Sequence, residues 1–98
     1  MARYISMIAF TDQGIQNIKE TCKRANSFKT AAKKLGVRVQ DTYWTLGTFD
    51  GVIVFDAPDE ETATAAMLQL GTLGNIRTKT ARAFKTTEME VVLAKLSD

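Results

Sequence analysis

The sequence contains no histidine, a single cysteine and a single proline. Without histidine there is no Ser-His-Asp triad, no histidine-ligated haem, and neither the commonest general base nor the commonest metal ligand. Cys22, being alone, forms no internal disulfide and leaves no CxxC or Cys/His cluster for zinc, so neither a metal nor a cofactor is expected. No charge of one sign dominates, because 13 basic and 11 acidic side chains leave +2. Lys19, Lys23, Arg24, Lys29, Lys33, Lys34 and Arg38 are diluted by Asp12, Glu20 and Asp41, so the basic stripe of a nucleic-acid binder is missing. No apolar run approaches membrane-spanning length, and Met1-Ala2-Arg3-Tyr4 runs straight into a strand rather than a signal segment. A cytoplasmic protein with no membrane or nucleic-acid partner is the expectation, its 98 residues forming one domain over 1–98.

What the chain does have is the stretch Tyr43-Trp44-Thr45-Leu46-Gly47-Thr48-Phe49-Asp50-Gly51-Val52-Ile53-Val54. Apolar, β-branched runs flank Gly47-Thr48, and glycine at the first central position is what a two-residue type II′ hairpin requires. That turn sets Leu46 against Phe49, Thr45 against Asp50, Trp44 against Gly51 and Tyr43 against Val52. Gly51 then leaves room for the indole. Alternation puts Trp44, Leu46, Phe49, Ile53 and Phe55 on one face, and Val39, Tyr43, Asp50, Val52 and Val54 on the other. Helices cover one face; a second copy of the chain is the expected cover for the other.

The remaining elements follow from periodicity. Arg3 to Phe10 reads as a central strand, and Thr11 or Asp12 caps the helix after it. From Gln13 to Leu35 the positions Ile15, Ile18, Cys22, Ala25, Phe28, Ala32 and Leu35 form an amphipathic stripe, which buries Cys22, and Gly36 ends the helix. Pro58 closes the hairpin and Asp59 caps a second, Ala-rich helix from Thr62 to Leu73. Asn75 to Phe84 is the last strand, and Thr87 with Glu90 suggests a capping box for a short C-terminal helix. The fold class is therefore α+β, a ferredoxin-like βαββαβ plait: a four-stranded antiparallel sheet with two helices on one face plus a short C-terminal helix.

The run Tyr43-Trp44-Thr45-Leu46-Gly47-x-Phe49-Asp50 resembles the GYD-domain family, small bacterial and archaeal proteins of the dimeric α/β-barrel superfamily. Phe10-Thr11-Asp12-Gln13-Gly14-Ile15, Ala57-Pro58-Asp59, Leu73-Gly74-Asn75-Ile76-Arg77-Thr78 and Arg82-Ala83-Phe84 also look like that family's segments. Gly47 and Asp50 match the residues that give the family its name, while Phe49 stands where the tyrosine would be, so an aromatic ring is kept and the hydroxyl lost. The resemblance implies the fold and a homodimer. It supplies no reaction.

Four residues are candidates for a ligand site: Trp44, Phe49, Asp50 and Arg82. Asp50, a carboxylate in an apolar strand, is the sole candidate base, weighed against a structural tie to Thr45 or nearby backbone. Trp44 offers a stacking surface or an interface anchor, and Arg82 an anion seat or an ion pair with Asp50 or Asp56. The two-residue turn would point Trp44 and Asp50 to opposite faces, away from any shared pocket. Three functions are consistent with these residues: a non-catalytic homo-oligomer binding a small, partly apolar molecule; a cofactor-free monooxygenase- or isomerase-type enzyme for an aromatic substrate; and an assembly module whose sheet face a partner copy fills. A pocket of roughly 300 Å³ or more with Asp50 or Arg82 on its wall favours the first two.

Overall fold

A computed structural model describes residues 1–97. The elements are β1 (Ala2–Phe10), α1 (Asp12–Gln16), a 3-10 turn (Ile18–Glu20), α2 (Thr21–Lys34), β2 (Arg38–Trp44), β3 (Gly51–Ala57), α3 (Glu60–Thr72), β4 (Ile76–Ala83) and α4 (Thr86–Leu93). The strands lie in the order β2-β3-β1-β4, and every neighbouring pair is antiparallel. This is the expected ferredoxin-like sheet. Tyr4, Ile8, Ile53 and Phe55 point from its central strands into a core with Phe28 and Ala32 of α2 and Ala63, Ala66, Met67 and Leu70 of α3. The Tyr4 and Phe55 rings stack at 5.4 Å.

Local chemistry sets the element ends. Thr11 caps α1 by accepting from the Gly14 N–H, and Asp59 caps α3 by accepting from the Thr62 N–H at 2.7 Å. Gly36, at φ 84°, closes α2 in a Schellman arrangement: its N–H donates to Lys33 O and that of Val37 donates to Ala32 O. The start of α4 lies two residues earlier than the Thr87/Glu90 pattern suggests, since the Glu88 carboxylate accepts from the Lys85 N–H at 3.0 Å.

Three expectations are corrected. The first helix breaks at Asn17, so α2 takes its own phase around Phe28 and Ala32, and Cys22 is exposed. Successive steps of three drift about 60° each on a 3.6-residue helix, which carries Cys22 about 120° from Phe28. Val39 pairs with Phe55 and Asp41 with Val54, so a bulge at Gln40 puts Val39 on the helix-covered face instead of the open one. The hairpin ends pair as expected, Trp44 with Gly51 and Tyr43 with Val52, and Gly47 has φ 114°. Leu46 and Phe49, however, lie outside the ladder in a broader loop, because Asp50 is drawn onto β1 by its N–H, which donates to Ile8 O at 2.8 Å.

Candidate functional site

A cavity of about 360 Å³ opens between α2 and the sheet. Its apolar walls come from Ile8, Phe28, Ile53, Leu70 and Ile76, the inward residues of three strands and two helices. Small residues, Ala25 and Gly51, stand on its lining where bulk would narrow the gap. Gly51 has a second reason to be glycine: a Cβ there would lie 2.9 Å from the Tyr43 carbonyl oxygen, so strand approach, more than the indole, demands it.

Polar groups interrupt these apolar walls. Trp44 is half-exposed, and its indole Nε1 donates to Thr21 Oγ1 at 3.0 Å, tying the end of β2 to the start of α2. Asp50 Oδ2 accepts from the Phe10 N–H at 2.8 Å. Both residues line the cavity, contrary to the expectation from a two-residue turn. The loop and the pull of β1 on Asp50 bring them together.

Arg24 also lines the cavity. Its Nη1 donates to the Asn17 carbonyl at 2.7 Å, whereas its Nη2 is closed off from water with no acceptor. A buried donor left unpaired costs about 1–3 kcal/mol, more when the group is charged. Among the described residues the ion pairs are Arg3 with Asp56 and Arg82 with Glu88, so Arg24 and Asp50 share a cavity without pairing. In the sequence Arg24 is hidden among the solvated lysines of the helix. The signal that locates it is position: it precedes Phe28 by four residues and follows Thr21 by three, on one face of α2.

The other two candidates lie elsewhere. Arg82 stands at the far end of β4, bonded to Glu88 at 2.8 Å and stacked 4.7 Å over the Phe84 ring. Its guanidinium also holds the carbonyls of Arg3 and Ala83. Phe49 borders a separate depression of about 800 Å³ along β4, and its carbonyl accepts from Thr45 Oγ1 at 2.5 Å. Asp56, buried on the open face, receives Arg3 at 2.9 and 3.2 Å and Gln40 at 2.9 Å. The Arg3 hydrogen bonds hold its carboxyl below the usual carboxylate range, against the opposing effect of burial. No group of three or more acidic or cysteine side chains among the described residues is placed to hold a metal ion.

A family model described as GYD domain matches residues 4–93. A Thermus thermophilus protein named glutamine synthetase and cystathionine beta-lyase binding protein is 30% identical over 90 residues, covering 91% of this chain and 95% of that protein. A crystal structure of a protein from Thermus thermophilus has the same fold, with a TM-score of 0.57 at 22% identity over 88% of this chain and 96% of that one.

Proposed function

The chain belongs to the GYD-domain family, and from that premise we propose that it is a non-catalytic binding protein that holds a small, largely apolar molecule in the cavity between α2 and the sheet. The observation that carries this reading is the cavity itself: about 360 Å³, largely apolar on its walls, with Asp50, Arg24 and Trp44 among the residues that line it. Concave apolar chambers with a few convergent polar groups are the usual form of a ligand site. Binding is favoured over catalysis because the Asp50 carboxylate is engaged in holding Phe10.

Trp44 is the chain's one tryptophan, so indole emission reports on this site alone. Titration with the neutral probe 3-phenylpropanol should give a saturable change in emission. For a ligand of about ten non-hydrogen atoms, half-saturation should fall at about 1 mM or below. Ala25→Phe, which fills the chamber from α2, should abolish the response while the far-ultraviolet dichroism stays unchanged. A linear, unsaturable response in the wild type would contradict the reading.

We further propose that the protein works as a homodimer through its open sheet face. Ile5, Met7, Val52 and Val54 are only half-buried there, and Tyr43 is exposed. α4 exposes Met89, Val91 and Leu93, and a helix this short is unstable without packing. A mass of two chains in sedimentation equilibrium at micromolar concentration supports the proposal; a single chain would end it. The relative's name favours a second reading, docking onto another protein, for which co-elution with purified glutamine synthetase is the test.

A further inference from the structure

We infer that Arg24 sets the chemistry of the ligand: the cavity takes a small monocarboxylate, its anionic end on the Arg24 guanidinium and its apolar body against Phe28 and Ile53. This rests on the cavity reading above. Arg24 lines the chamber, no carboxylate of the described chain pairs with it, and Nη2 has no acceptor at all. Nη2 is closed off from water where it stands, so this inference requires the guanidinium to turn toward the space that its side chain borders. A carboxylate there would take charge-assisted hydrogen bonds that the protein does not supply, in the planar geometry a guanidinium favours.

The start of α2 points the same way. Its first turn carries no acidic residue and its N-terminus has no side-chain cap, while Thr21, Lys23 and Arg24 all line the cavity. Two cations near the positive end of a helix dipole are mutually unfavourable, and an anion beside them relieves both. Two acidic residues also border the space. Asp50 turns Oδ2 to the Phe10 N–H, and Glu20, the N-cap residue of α2, makes no side-chain cap; neither forms an ion pair with Arg24 among the described residues.

The test compares three probes of one shape, 3-phenylpropionate, 3-phenylpropanol and 3-phenylpropylamine, by Trp44 emission at neutral pH. The acid should bind at least about tenfold more tightly than the alcohol in the wild type, the gain of one charge-assisted contact. In Arg24→Gln and Arg24→Met the ratio of acid to alcohol affinity should fall to about one, whatever the absolute affinities, and Arg24→Lys should retain part of the preference. The wild-type comparison needs no variant to fold. Equal binding of acid and alcohol overturns the role of Arg24 and leaves the cavity reading intact. Tighter binding of the amine overturns it in favour of Asp50. Failure of all three probes to bind removes the cavity reading and this inference together.

Discussion

Asp50 is a structural tie before it is anything else. Its carboxylate satisfies the Phe10 N–H at the point where β1 leaves the sheet, and its own N–H donates to Ile8 O. Asp50→Ala should therefore destabilise the fold by about 1–2 kcal/mol in urea unfolding, from one unpaired donor. Asp50→Asn, whose amide oxygen still accepts, should lose clearly less; equal losses would refute the tie. Gly14 is constrained by approach and not by conformation, since a Cβ would sit 2.0 Å from the Asn75 carbonyl oxygen. Gly14→Ala should cost about 2–3 kcal/mol by the same measurement, because backbone on both sides must move. Acid should act through carboxylates held below their ordinary values: Asp56 by Arg3, Asp59 by Thr62, and Glu88 by the Lys85 N–H and then Arg82. The unfolded chain then takes up protons first, near 3.8 for Asp and 4.5 for Glu, so stability is full above those values and falls as pH drops through and below them. Asp56→Asn should flatten that decline in unfolding curves taken from pH 6 to about pH 2; an unchanged slope would count against the Arg3 pair.

At the scale of elements, what can be read from the sequence is whatever a local signal specifies. Gly36 and Gly47 announce positive φ, Asp59 announces a cap, and a hairpin centred on Gly47-Thr48 sets Trp44 opposite Gly51. What cannot be read depends on contacts distant in sequence. The bulge at Gln40 is supported by its side chain reaching Asp56, and the wide 45–50 loop by β1 claiming Asp50. The break at Asn17 shifts the helical phase, and so hides both the exposure of Cys22 and the inward placement of Arg24. That phase is open to a simple check. Cys22 should react to completion with a thiol reagent such as Ellman's in the folded protein, at a rate close to that in denaturant; a protected thiol would return α2 to the unbroken stripe. The site is legible in part: Trp44 and Asp50 stand out in the sequence, and their meeting at one cavity does not.

The whole molecule is elongated, with extents of 54 × 32 × 18 Å and a radius of gyration of 15.0 Å. A compact chain of this length would have about 12.6 Å. The excess fits an α4 that packs on little of its own chain and a sheet with one face uncovered, the features that support a homodimer. No helix among the described residues is long and apolar enough to cross a membrane. The central claim is that the chamber behind Trp44 is a place for a ligand. The measurement that tests this most directly is a crystal structure of the protein grown with millimolar 3-phenylpropionate. Density for the probe between α2 and the sheet, ring against Phe28 and carboxylate at Arg24, is the predicted result. A chamber closed by Phe28 or Trp44, with the probe absent, would contradict it.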